Sequence, residues 1–223
     1  GDDILFLKRI DGHEQGQTRR LLHIEQSVAL QHLDCTCNRS HRPLAGHELG
    51  ESLLLQRLNG MADAFADQME HSLANLKNSP IGGQVDVPAD RRYAGFDAFK
   101  KVIDQVDVVL LCTPPAFRPI HLAYAVDKGI HAFVEKPIAT DAPGVRSVLE
   151  TCKKAREKGI SLASGHCWRY EPARRETMKQ VFDGKIGDIV AIETTYNSQG
   201  VWEPRKTRAE CKSEMEYQMR NWY

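Results

Sequence analysis

The chain has 223 residues, room for one full domain and part of a second. With 41% hydrophobic and 27% charged residues it has the balance of an ordinary globular protein, and 30 Lys plus Arg against 30 Asp plus Glu give no electrostatic basis for binding nucleic acid or a membrane surface. No apolar run approaches the roughly 20 residues that a membrane-spanning helix needs.

Residues 1–60 hold neither the helical nor the strand period for long. Their best apolar runs are Ile4 to Leu7 and Leu53-Leu54-Leu55. Arg19-Arg20-Leu21-Leu22 resembles the start of a twin-arginine export signal, but Ile24-Glu25-Gln26 and Gln31-His32 interrupt the apolar stretch such a signal requires. The first residue is Gly1, so the natural start is expected to lie elsewhere. The six cysteines form no Cys-x-x-Cys pair and no zinc-like repeat, so no metal site is expected and Cys35 and Cys37 read as unrelated thiols. Cys112 and Cys152 fall on apolar faces and are expected in the core. Reduced thiols fit a cytoplasmic protein.

From Met61 onward strands and helices alternate. Ala62, Phe65, Met69, Leu73 and Leu76 share one helical face, and Pro80 with Gly82-Gly83 ends it. A short helix is expected over Asp97 to Asp104, with Phe99, Val102 and Ile103 inward. Val106 to Cys112 is almost continuously apolar, the pattern of a strand buried on both faces of a parallel sheet. Thr113-Pro114-Pro115 stops it. A helix from Pro119 to Lys128 closes at Gly129. His131 to Val134 is the next strand, ending in Glu135-Lys136-Pro137. Thr140-Asp141 and Pro143 start a helix with Val145, Val148, Leu149, Cys152 and Ala155 as its expected buried stripe. Ile160 to Ala163 follows as a strand. This β-α-β-α-β order implies an α/β fold, a doubly wound parallel sheet with helices on both faces. Beyond Gly165, Glu171 to Phe182 reads as a helix and Asp188 to Tyr196 as one longer strand.

Ligands of a doubly wound sheet sit outside the carboxyl ends of its strands. The two polar-plus-proline turns would line that edge and could face one ligand. Glu135 and Lys136 supply a carboxylate and a cation there, and a lysine can hydrogen-bond a hydroxyl and steady the oxygen as charge develops. On composition alone, a solvated Glu–Lys pair is the simpler reading.

Thr113-Pro114-Pro115, His121, Gly129-Ile130-His131-Ala132-Phe133-Val134-Glu135-Lys136-Pro137 and Gly165-His166-Cys167-Trp168-Arg169-Tyr170 occur in an order and spacing that resembles the Gfo/Idh/MocA oxidoreductases. The resemblance covers roughly 61–223. It implies a Rossmann-like domain, then an α/β substrate domain on an open, mostly antiparallel sheet. It also implies hydride transfer between NAD or NADP and a sugar, polyol or related carbohydrate, and homo-oligomers built through the second domain's sheet. Carried across by position, Thr113, Pro114 and Pro115 border the cofactor, Glu135 and Lys136 approach the nicotinamide, His121 and Arg169 neighbour the site, and Lys136 is the catalytic candidate. The family often has histidine where Arg118 stands. Asp63 sits where the second strand would end. A carboxylate there bonds the ribose hydroxyls and repels a 2′-phosphate, favouring NAD; it also reads as a helix N-cap.

Two features depart from the family pattern. The Gly-x-Gly-x-x-Gly fingerprint expected about 20 residues before Asp63 is absent, and Gln56-Arg57-Leu58-Asn59-Gly60 interrupts the second strand. The later segment that supplies a proton-transferring residue is also missing before Tyr223. The organisation expected is therefore an atypical segment over 1–60, a cofactor domain over 61–165 and a partial substrate and oligomerisation domain over 166–223. A missing first βα unit is expected to bare the edge of the Val106–Cys112 strand or its neighbour. The leading expectation is an oxidoreductase lineage in a partial or inactive form; the alternative is a non-catalytic dinucleotide-fold binding module.

Overall fold

The computed structural model describes residues 5–10, 56–197 and 204–221, with the backbone alone for 5–10 and 56. The twin-arginine pair, Cys35, Cys37 and Leu53-Leu54-Leu55 lie outside the described residues. The chain divides into two compact units, Gly1–Glu171 and Pro172–Tyr223. Among the described residues no helix is long and apolar enough to cross a membrane.

The first unit runs β1 (Leu5–Ile10), β2 (Gln56–Asp63), α1 (Ala66–Lys77), β3 (Arg92–Ala94), α2 (Ala98–Ile103), β4 (Val108–Leu111), α3 (Arg118–Asp127), β5 (His131–Val134), α4 (Ala142–Glu157), β6 (Leu162–Ser164) and α5 (Cys167–Tyr170). Its six strands form one sheet in the order β3-β2-β1-β4-β5-β6. Every residue of β4 and β5 is buried, as their continuous apolar sequences require of strands covered on both faces. Met61 and Ala62 point to opposite faces because the strand period is two. Met61 packs with Met69 and Leu73 of α1, while Ala62 joins Phe99, Val102 and Ile103 of α2 and Leu122, Ala125 and Val126 of α3. Helices therefore cover both faces of the sheet. The chain breaks fall where the glycines are: Gly129 and Gly159 follow α3 and α4 at φ 81° and 68°, a region L-residues avoid. Asp141 caps α4, its carboxylate accepting from the Gly144 N–H at 2.7 Å.

The sheet is parallel except at one strand. β2 pairs parallel with β3, and β4, β5 and β6 pair parallel in turn. β1 lies between β2 and β4 and runs antiparallel to both. The edge of β4 is thus covered rather than bared. An unpaired ladder is filled by any extended segment that reaches it, and here the segment runs the opposite way.

Several details differ from the sequence expectations. Gln56 to Gly60 does not interrupt β2: the register shifts between Leu7 and Lys8 of β1, which pair with Gly60 and Leu58, so Asn59 is an extra residue taken up in a bulge. Ala62 and Phe65 precede α1 rather than belonging to it. Val145, Leu149 and Cys152 are exposed on α4, whose buried face is Val148, Thr151 and Ala155; that helix packs on α3, and Val148 and Ala155 join Leu122, Ala125 and Val126 in the core.

The second unit contains α6 (Pro172–Phe182) and α7 (Glu214–Arg220). Thr207 and Glu210 form a capping box ahead of α7, and the Asn221 side chain bonds the Lys206 backbone through both its oxygen and its nitrogen. Asp188 to Tyr196, expected as a strand, is neither helix nor strand; Val190 is 95% and Ile192 78% exposed. Alternation marks a strand's face, but a strand persists only where a neighbour completes its ladder. Among its described residues this unit has no strand to supply one.

Candidate active site

Because β1 is antiparallel to both β2 and β4, those two strands share a direction, and the carboxyl ends of β2, β4, β5 and β6 lie along one edge of the sheet. Asp63, Thr113-Pro114-Pro115, Glu135-Lys136-Pro137 and Gly165 follow those ends in that order across the edge.

The Glu135 turn is held from several sides. Its N–H donates to the Leu111 carbonyl at 3.0 Å, prolonging the β4–β5 ladder by one bond. The Glu135 carboxylate folds back to accept from the Lys136 N–H at 2.8 Å. It also lies against the backbone of Gly165, where a Cβ would stand 2.5 Å from Oε1. Only glycine leaves that space. Gly165→Ala is expected to swing the Glu135 carboxylate out of its place, at a stability cost below about 1 kcal/mol, since the group displaced is the end of a flexible side chain. A crystal structure of the variant with the Glu135 rotamer unchanged would contradict this. Lys136 itself is exposed, and the Lys136–Pro137 peptide is cis.

Arg118, the first residue of α3, is 5% exposed and donates from Nη1 to the Pro137 carbonyl. It therefore ties the helix that follows the first turn to the backbone of the second. A guanidinium carries its donors on a rigid fork, which suits it to fixing a loop.

Thr113 and His121 are both buried, with Oγ1 and Nδ1 3.2 Å apart. The His121 ring stacks on Phe117 at 6.0 Å and 14° and lies 4.2 Å from the Phe99 ring. Burial pushes its pKa down to about 4, so the imidazole is neutral near pH 7. His121 thus stands behind the first turn and holds Thr113.

Asp63 is 6% exposed, and its Oδ1 accepts from the Phe65 N–H at 2.6 Å, fixing the turn into α1. The N-cap position of α1 belongs to Phe65. The Asp63 carbonyl accepts from Gly95 at 2.9 Å, which places the exposed Phe96 beside it. Arg169 is exposed on α5, its N–H bonded to the His166 carbonyl. The structure therefore brings Thr113, Pro114, Pro115 and His121 together with Glu135 and Lys136 through Arg118. Asp63 stands across β1 from them, and no described contact joins Arg169 to Lys136. Sequence reasoning missed Gly165 as a site residue, although a glycine directly after a strand end is a signal for close backbone approach.

Residues 57–164 match the oxidoreductase family Gfo/Idh/MocA, NAD-binding Rossmann fold. This segment belongs to that family. The chain is 29% identical over 160 residues to 4-carboxy-2-hydroxymuconate-6-semialdehyde dehydrogenase of a Sphingobium species, covering 65% of this chain and 50% of that protein. It is 28% identical over 107 residues to 2,7-anhydro-N-acetylneuraminate hydratase of Escherichia coli, covering 48% and 27%. Myo-inositol 2-dehydrogenase of Lactobacillus plantarum, a solved structure, is 25% identical, with 60% of this chain and 35% of that chain covered and a TM-score of 0.46. The chain thus spans from about a quarter to half the length of these relatives.

The Gfo/Idh/MocA edge fits a dinucleotide at its ends and not at its centre. The turns after β4 and β5 leave a polar, rigid wall with an exposed lysine, and Asp63 ends β2. A dinucleotide's diphosphate, however, is cradled where a central parallel strand turns into a helix whose N-terminus faces it. Here the central strand is β1. Its carboxyl end, Ile10, pairs with Gln56 at the opposite edge, and its amino end, Leu5, stands between Ala62 and Leu111 at the carboxyl edge. β1 therefore ends away from the crevice, and the sequence contains no Gly-x-Gly pair to form the cradle.

Proposed function

We propose that this chain carries the cofactor domain of an NAD(P)-dependent oxidoreductase lineage acting on a sugar, polyol or related carbohydrate, and that the polypeptide as it stands does not turn over. The observation that carries the lineage is the junction of the two edge turns, with Glu135 bonded to Leu111 and Arg118 to Pro137. Lys136 is exposed beside that junction, and the role proposed for it is to donate to a substrate oxygen. Thr113, Pro114, Pro115 and Glu135 would line the wall beside it, with His121 positioning Thr113 and Arg169 at the rim. Asp63 favours NAD over NADP, since a carboxylate repels a 2′-phosphate. The partner is a small molecule rather than nucleic acid, the compartment the cytoplasm, and self-association would run through the sheet of the second domain.

A second reading, a non-catalytic binding module, is favoured by one observation, the reversed β1. A chimera separates the two. Replacing residues 1–55 with a parallel strand, a Gly-x-Gly-x-x-Gly turn and a helix is expected to confer saturable NADH binding, followed by nicotinamide fluorescence, and NADPH is expected to bind less tightly. A folded chimera that binds no NADH would overturn the oxidoreductase reading.

A further inference from the structure

No further inference is drawn: the strongest candidate, the exposed apolar surface that Ile120 of α3 and Val145 and Leu149 of α4 present on two helices packed together, carries nothing because nothing in the structure shows what covers it.

Discussion

Lowering the pH from 7 to 5 is expected to cost the first unit about 2 kcal/mol of stability through His121 alone. The folded-state pKa is depressed to about 4 from an unfolded value near 6.5, with burial as the cause. Between those values the unfolded chain binds a proton that the folded chain refuses, so stability is full above pH 6.5 and falls as the pH drops toward 4. The whole window is worth about 3 kcal/mol, since a tenfold difference in proton affinity between the folded and unfolded chains corresponds to about 1.4 kcal/mol. The groups facing the ring are Thr113, Phe99 and Phe117, none of which can offset the charge. Urea unfolding across pH 7 to 5 measures the loss, and His121→Phe isolates it, because a phenyl ring keeps the stack and cannot titrate. The wild type is expected to lose about 2 kcal/mol more than the variant over that interval. Parallel profiles for the two proteins would contradict a buried, neutral imidazole.

Arg118→Ala is expected to cost about 2–3 kcal/mol, the sum of a charged hydrogen bond lost from the Pro137 carbonyl and of packing lost around the buried stem. Arg118→Met keeps most of the stem and removes the donor, so roughly half the loss is expected from it. Both variants release the Glu135-Lys136-Pro137 turn from α3. In the chimera they are expected to weaken NADH binding, while Lys136→Ala weakens it without loss of stability. Unfolding free energies for Arg118→Ala within about 0.5 kcal/mol of wild type would remove Arg118 as the tie between the turns.

The parts of this fold that can be read from the sequence are those fixed by local rules. Val106 to Cys112 and His131 to Val134 announce themselves because a strand covered on both faces has no polar alternation to blur it, and Gly129 and Gly159 mark helix ends because the backbone there has positive φ. The direction of β1 is invisible in the same way: a period of two has no sense along the chain, and the partner that selects the direction is distant in sequence. Gln56 to Gly60 reads as a break because a bulge shifts the alternation by one residue at Asn59. The outer face of α4 reads as buried because Val145 and Leu149 share the helical period with Val148 but not its place in the core.

The candidate site divides along the same line. Thr113-Pro114-Pro115 and Glu135-Lys136-Pro137 are legible because each is a local motif directly after a strand. Their joining is not, since the Arg118–Pro137 bond and the space kept by Gly165 for the Glu135 carboxylate exist only once the sheet has formed. His121 is visible as a spaced histidine, while its neutral, stacked state follows from Phe99 and Phe117 closing over it.

Whether the crevice can take a whole dinucleotide turns on the direction of β1, and backbone nuclear Overhauser contacts between β1 and β4 in the intact chain test it most directly. The antiparallel register predicts Leu5 beside Leu111 and Lys8 beside Val108. Leu5 beside Val108 and Lys8 beside Leu111 would mean a parallel central strand, a turn free to reach the carboxyl edge, and a crevice open to a whole dinucleotide.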